Sequence, residues 1–327
     1  MTAYILRRLL YALPILIGVN LITFVLFFVV NSPDDMARMQ LGNKRVTPEA
    51  IASWKAERGY DQPLLFNDQA EGLGRLTQTI FFDRSLRLFV FDFGTSDAGR
   101  DISHDIGQRM WPSLAVAVPV LLVGLLVNIS LALFLVLFRG GTLDLTGVVV
   151  LVAMLSISSL FYIIGGQYLL GKLLRLAPIS GYDLGLEAWK FLVLPVIIGV
   201  MGGIGSGARL YRTLFLEEAQ KDYVRTARAK GLSEGRVLWG HALRNAWLPI
   251  LTLIGMQLGG LLGGAVITET VFAWPGVGSL LVEAIQSRDY PVVQACVLLV
   301  SLTYVLVNTL TDLVYTWVDP RIHWGSS

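Results

Sequence analysis

Few residues in this sequence have the types and spacing that chemistry at a protein site demands. There is no G-x-x-x-x-G-K-[ST] loop to cradle phosphates, no G-x-S-x-G turn to present a serine, and no H-E-x-x-H pair to hold zinc. His104 and His323 lack metal-ligand spacing, so no metal site is expected. Cys296 is the single cysteine and lies in an apolar run, where a buried, inert thiol is expected. What remains is charge in unusual places. Residues 217–249 form a polar, basic run between two apolar segments. Counted from Arg209, it holds eight of the 26 Lys and Arg residues. Glu269 and Asp312 stand near the ends of apolar segments, where a charge is costly and asks for a reason. The chemistry on offer is therefore non-covalent: ion pairing by the basic run, and hydrogen bonding by the two acids.

The elements that position these residues are membrane helices. The 327 residues are 54% hydrophobic and only 15% charged, against about a quarter charged in soluble domains. The apolar residues come in blocks of about 20, the length a helix needs to cross a hydrocarbon core roughly 30 Å thick. The expected fold is an all-α polytopic membrane protein with six transmembrane helices, near residues 9–30, 112–138, 145–170, 191–208, 248–272 and 293–314. Arg7 and Arg8 place the start of the first span in the cytoplasm, and its length with no small-residue cleavage site reads as an uncleaved anchor. Six spans put both termini inside. Lys172 and Arg175 then fall outside, against the charge rule, but the basic run outweighs them. A net charge of +2 is too small to point to nucleic acid.

The chain divides accordingly. Residues 1–30 are the N-terminal transmembrane helix and residues 31–110 an extracytoplasmic region. Residues 111–315 form a five-helix core that includes a cytoplasmic loop over 209–247, and residues 316–327 a cytoplasmic tail. The 31–109 stretch has 10 Lys/Arg and 12 Asp/Glu, and a long translocated loop is largely exempt from the charge rule. Within it, Thr47 as N-cap and Pro48 at the first helical position predict a short helix to Arg58, stopped by Gly59. Residues 80–93 are too short and too charged to span; they either lie on the membrane surface or pack on the protein. Gly255, Gly259 and Gly263 recur every fourth residue, and Gly260 and Gly264 repeat the spacing. Such a face lets another helix approach closely, either within this chain or along a pathway or partner. Asp312 is expected to serve helix packing or the interface.

The basic run has its own local pattern. Residues 222–230, DYVRTARAK, are good helix formers without Gly or Pro, and Gly231 fits a left-handed C-terminal stop. Ser233 is a candidate N-cap for a second helix. A helix–Gly–helix unit is a rigid knob suited to passing motion to a soluble partner. Composition alone fits a solvated basic loop at the headgroups equally well.

This knob resembles the cytoplasmic signature of permease subunits in binding-protein-dependent ABC importers, which reads E-A-A, three residues, G, nine residues, I-x-L-P. Aligned on Gly231, only Ala227, Gly231 and Leu243 match the general form; Arg225-Thr226-Ala227 stands at E-A-A, and Arg244 at the Pro, with Leu248-Pro249 later. The resemblance is closer to the first permease of the dipeptide, oligopeptide and nickel importers. Phe91-Asp92-Phe93-Gly94-Thr95-Ser96, Pro178-Ile179-Ser180-Gly181-Tyr182, Glu269 through Gly278, Ser287-Arg288-Asp289-Tyr290-Pro291 and Val318-Asp319-Pro320-Arg321-Ile322 are similar to further elements of that branch, so the resemblance covers nearly the whole chain. Residues 66–88 depart from its short form and look like an insertion.

The resemblance implies the type I importer permease fold in a bacterial inner membrane. It implies a paralogous second permease, two cytoplasmic ATPases and an extracytoplasmic binding protein as partners. ATP-Mg would sit on the ATPases, with no cofactor bound by this chain and no enzyme activity of its own. Tyr223, Arg225, Thr226, Ala227, Arg228, Ala229, Lys230, Gly231, Leu232 and Ser233 would enter an ATPase groove. Ala227, Ala229 and Gly231 would permit close approach, and Arg225, Arg228 and Lys230 would meet acidic residues or lipid headgroups. Glu269 would either contact a peptide amino group in the pathway or make a structural hydrogen bond at the outer interface. Peptides, nickel chelates, opines and sugars all remain open as substrate. A stand-alone secondary transporter is the alternative, disfavoured by spans nearly free of acids; a membrane enzyme is disfavoured by the missing motifs.

Overall fold

The computed structural model describes residues 2–42, 46–185, 187–261, 263 and 265–318. Every regular element among them is helical. Helix α1 (Thr2–Phe24) runs on as π-helical turns to Val30, and α2 (Pro33–Leu41) and α3 (Pro48–Arg58) follow. Next come α4 (Ile102–Leu137), α5 (Thr142–Leu155), α6 (Ser159–Gly166) and α7 (Ala188–Glu218). The last five are α8 (Asp222–Ala229), α9 (Trp247–Gly259), α10 (Val266–Val271), α11 (Val277–Ser287) and α12 (Tyr290–Val318).

Four segments are long and apolar enough to cross a membrane: Leu10–Val30, Ile102–Leu137, Ala188–Glu218 and Tyr290–Tyr315. A fifth is the pair Thr142–Leu155 and Ser159–Leu173, bent by 91°. The six continuous spans expected from hydropathy are therefore not all found. The bend falls at Ser156-Ile157-Ser158, where the Ser156 hydroxyl donates back to the Val152 carbonyl (2.9 Å) and competes with the helix ladder. The expected fifth span, 248–272, breaks after the 13 residues of α9, which reach only about 20 Å. Gly259 and Gly260 stand at the break, and each glycine in a helix costs about 1 kcal/mol relative to alanine. Conversely, α4 starts ten residues before Pro112, because the Asp101 carboxylate accepts from the His104 amide (3.0 Å) and opens the helix there.

The described residues form two compact units. The first comprises Met1–Arg109 and Leu280–Val305. Its α3 follows the expected pattern: Thr47 Oγ1 accepts from the Ala50 amide, Pro48 is first in the helix, and Gly59 closes it at φ 69°. The core gathers Phe24 and Phe28 of the first span with Met36, Trp54, Tyr60 and Ile80. The Phe24 and Phe28 rings stack 5.1 Å apart, and Tyr60 meets Phe28 edge-on. Residues 80–93 pack on the protein, since Ile80, Ser85 and Leu88 are buried. Ser85 also answers two amides in apolar helices: Asn20 Nδ2 donates to its carbonyl (3.2 Å) and Gln294 Nε2 to its hydroxyl (2.8 Å). Residues 66–88 thus split. Phe66, Leu73 and Leu76 are exposed, whereas Thr79, Ile80, Ser85 and Leu88 are buried. Tyr60 Oη donates to Asp97 Oδ1 (3.0 Å), and the Asp97 amide donates to Asp289 Oδ1 (3.1 Å). Burial, and then the neighbouring Asp289 charge, push the Asp97 carboxyl up to about 6.

The second unit comprises Met110–Ser279 and Leu306–Ser327. Its main core joins Ala132, Leu133 and Val136 of α4, Tyr211 and Phe215 of α7, and Leu238, Ala242, Ala246 and Ile250. Glycines of α7 set the helix spacing. A side chain on Gly205 would overlap the backbone of α5 at Leu151 and Leu155, and one on Gly199 would strike Val120 of α4. A largely buried, two-pronged ion pair locks α7 to α5: Arg212 Nε and Nη2 donate to Asp144 Oδ1 (2.9 Å) and Oδ2 (2.8 Å), while Oδ2 also accepts the Gly140 amide.

Candidate functional site

The basic run folds back on the end of α7. Glu218, the last residue of α7, is 6% exposed, and its carboxylate accepts from Lys221 Nζ (2.5 Å) and Tyr223 Oη (2.6 Å). These two bonds fix where α8 begins. Burial and the adjacent Glu218 raise the Tyr223 hydroxyl above the usual phenol range, so it stays a donor. Tyr223 is thus a strut of the loop.

Helix α8 is amphipathic over only two turns. Val224 and Ala227 are buried against Val237, with Tyr223 and Leu232 packed around them. The helix ends in a Schellman motif. The Gly231 amide donates to the Arg228 carbonyl (2.9 Å) and the Leu232 amide to the Ala227 carbonyl (3.4 Å), with Gly231 at φ 79°. The left-handed residue predicted there is present, and Leu232 supplies the hydrophobic contact that accompanies the motif. Ser233 sits at the N-cap position of the turn Glu234–Arg236, but its hydroxyl makes no cap bond.

Two expected roles change. Ala227 is 5% exposed; its small size serves the loop's own core, and it is not available for close approach of a partner. Arg228 is already paired. Its Nε and Nη2 donate to Glu234 Oε1 (2.7 Å) and Oε2 (3.1 Å), and its Nη1 to the Ala219 carbonyl (3.1 Å). It staples α8 to the segment that follows and to the end of α7. The face left outward holds Arg225, Thr226, Ala229, Lys230 and Gly231, all exposed. Arg225 pairs with Asp222 (3.5 Å), with both side chains mostly in solvent, a contact that contributes little. The outward face is therefore small and cationic, on a body held by its own contacts. Glu218 and Glu234, which brace it, were not singled out from sequence; their only signal was local spacing to Lys221, Tyr223 and Arg228.

A second polar centre surrounds Glu269 in α10. It is fully buried, and its Oε1 accepts from Ser113 Oγ (2.6 Å) while Oε2 accepts from the Ser279 amide (3.0 Å). Ser113 Oγ in turn accepts from the Val277 amide (2.8 Å), and Trp274 Nε1 donates to the Pro112 carbonyl (2.8 Å). A Cβ on Gly276 or Gly278 would run into the Glu269 carboxylate, so both glycines make room for it. The loop around Pro178–Tyr182 packs on the same centre: the Gly181 amide donates to the Phe272 carbonyl (2.9 Å), and the Tyr182 ring meets Trp274 edge-on at 4.8 Å. Two motifs distant in sequence thus form one tight plug. Of the two roles expected for Glu269, this geometry matches the structural hydrogen bond.

The glycine ladder is not one face of one helix. Gly255 and Gly259 lie in α9 and are buried, but Gly263 lies in the turn after the break, and Gly264 is outside the described residues. Gly255 does serve close packing, since a Cβ there would overlap the Thr311 side chain of α12. His323 and the tail motif beyond Val318 also lie outside the described residues. Between α4, α6, α7 and the α9–α10 segment lies a cavity of about 470 Å³.

Known proteins match along the whole chain. Residues 128–324 match the family model described as binding-protein-dependent transport system inner membrane component, and residues 1–86 match the model for the N-terminal part of such components. A dipeptide transport system permease protein of Alkalihalophilus pseudofirmus is 31% identical over 99% of this chain and 100% of its own length. A glutathione transport system permease protein of Salmonella choleraesuis is 34% identical over 99% and 100%. A dipeptide transport system permease protein of Escherichia coli is 34% identical over 98% and 99%.

Proposed function

Because the chain belongs to the family of inner-membrane components of binding-protein-dependent transport systems, a family of transport components and not of enzymes, we propose that it forms half of the translocation pathway of an ATP-driven importer for di- or oligopeptides and related small solutes. The transport of dipeptides and glutathione by the relatives supports a peptide substrate. A paralogous permease supplies the other half of the pathway. Two ATPase subunits bind ATP-Mg on the cytoplasmic side, where both termini of this chain lie, and a binding protein delivers solute from outside.

The observation that carries the coupling role is the build of residues 218–246. A coupling element must move as a body, or the motion of its partner is lost in the loop. Here the Glu218–Lys221–Tyr223 cluster, the Val224–Ala227–Val237 core and the Arg228–Glu234 staple hold α8 to the end of α7 and to the return segment. Leu238, Ala242 and Ala246 continue that segment into the core of α4 and α7. Displacement of α8 is thereby passed to two apolar helices. Arg225, Thr226, Ala229, Lys230 and Gly231 are the contact face toward an ATPase groove.

Purification of the native complex in mild detergent tests this reading. The expected outcome is co-purification of ATPase chains and a second permease, with ATP hydrolysis raised by binding protein and peptide. An active transporter purified without any ATPase chain would contradict it.

A further inference from the structure

The cavity of the second unit has a volume of about 470 Å³, within the roughly 300–1,000 Å³ typical of small-solute sites. Its wall contains no Asp, Glu, Lys, Arg or His among the described residues. The polar groups there are neutral, and several are already occupied. Tyr162 Oη donates to the Met154 carbonyl (2.8 Å), and Ser206 Oγ to the Gly203 carbonyl (3.3 Å). Asn128 of α4 differs. It is 8% exposed and stands in the cavity wall, and its Oδ1, itself shielded from solvent, has no hydrogen-bond partner. Its place is built: a Cβ on Gly207 of α7 would overlap the Asn128 amide, so the absence of a side chain at 207 leaves space for it.

A buried carbonyl without a donor costs about 1–3 kcal/mol. A leucine of similar size would avoid that cost in an apolar wall. We propose that Asn128 is a specificity-determining residue of the transport pathway, whose side-chain amide turns about χ2 to present its carbonyl to an N–H of the passing solute. The chemistry selects the ligand class. The carbonyl oxygen accepts from an ammonium or an amide N–H, so it can engage the amino end or the peptide N–H of a short peptide. Because the group is neutral, the contact is weak enough to release, as conduction through any pathway requires. A wall without charge also leaves peptides with acidic, neutral and basic side chains on a similar footing. This inference rests on the peptide-importer reading above.

The test uses the complete importer with its binding protein in proteoliposomes, and labelled Ala-Ala, Lys-Ala and Glu-Ala as probes. Asn128→Leu removes the acceptor and should lower Ala-Ala uptake per ATP hydrolysed about tenfold, while ATP hydrolysis stimulated by the binding protein persists. Asn128→Asp keeps the shape and an acceptor but adds charge. It should raise the Lys-Ala to Glu-Ala uptake ratio about tenfold over wild type, which places residue 128 beside the solute path, while Asn128→Leu reads the acceptor itself. The same binding protein serves every variant, so its own preference cancels in the ratio. If Asn128→Leu fails to accumulate in the membrane, the isosteric Asn128→Asp carries the test. Wild-type uptake proportions in both variants, with wild-type peptide transport intact, would overturn the assignment of Asn128 alone. Absence of ATP-driven peptide uptake by the wild-type complex would overturn the peptide-importer reading and this inference together.

Discussion

Glu218 and Glu269 are both withdrawn from solvent, and they are held in opposite ways. Glu218 is satisfied by Lys221 and Tyr223, three and five residues along the chain, one of them a cation. Glu269 is satisfied by Ser279 and by Ser113, 156 residues away, both neutral donors. The first arrangement is local: it shapes one loop and moves with it. The second ties together segments far apart in sequence, so it fixes the packing of the unit. The proposed coupling loop is thus assembled from neighbours and the plug around Glu269 from strangers, and loss of the two should differ in kind.

The largest expected effect is at the plug. Glu269→Ala removes the carboxylate that accepts from the buried Ser113 hydroxyl and Ser279 amide, a loss of roughly 4 kcal/mol for two hydrogen bonds broken in the interior. Gly276→Ala places a methyl group on the Glu269 carboxylate and should act in the same direction. Both are checked by the membrane yield and thermal stability of the detergent-purified complex; a stability equal to wild type would show that the plug does not hold the unit. Next is Arg212→Ala, which strands the buried Asp144 and should cost about 3 kcal/mol, measured by the same melting assay. Arg212→Lys should recover only part, because the two-pronged geometry is lost.

A third prediction concerns pH and the other long-range acid pair, Asp97 and Asp289. The Asp97 carboxyl is raised from 3.8 to about 6, so between those values the folded state binds a proton that the unfolded state has released. Its contribution is therefore fully present below about pH 4 and is lost as pH rises through about 6, by about 3 kcal/mol. Melting of the purified protein between pH 4 and 7 should show this slope, and Asp97→Asn should flatten it. An equal slope in wild type and variant would remove the role of Asp97.

The smallest effect is at the local pair. Arg228→Ala and Glu234→Ala should each cost about 0.5 kcal/mol, since both side chains are half exposed. The informative variant is the exchange, Arg228→Glu with Glu234→Arg. Transport restored by the exchange marks a staple within the loop. Failure to restore it, with Arg228→Ala far worse than Glu234→Ala, would mark Arg228 as a contact to a partner and not a brace within the loop.

The same distinction explains what could be read in the residues alone. Local signals were legible. Thr47, Pro48 and Gly59 bound α3 as their types require, and Gly231 ends α8 in the left-handed conformation. Long apolar blocks announced α1, α4, α7 and α12. What could not be read depends on distant partners. Hydropathy averages over the serines that bend the third segment and the glycines that break the fifth, because both residue types are tolerated inside apolar runs. Ala227 and Arg228 look like contact residues in a basic loop; only the fold shows Val237 beneath one and Glu234 beside the other. Ser113 and Asn128 carry no local signal, since their significance lies in residues that the fold brings beside them.

The central claim is that α8 transmits force to the membrane helices as a braced body ending at Gly231. Gly231→Pro removes the amide that bonds the Arg228 carbonyl and imposes a φ near −65° where 79° is needed, while leaving both units' cores untouched. In the reconstituted importer, ATP-driven peptide uptake should fall at least about tenfold, with membrane insertion unchanged and ATPase chains either lost from the complex or hydrolysing ATP without transport. Uptake and ATP hydrolysis equal to wild type would contradict the assignment of this loop as the coupling element.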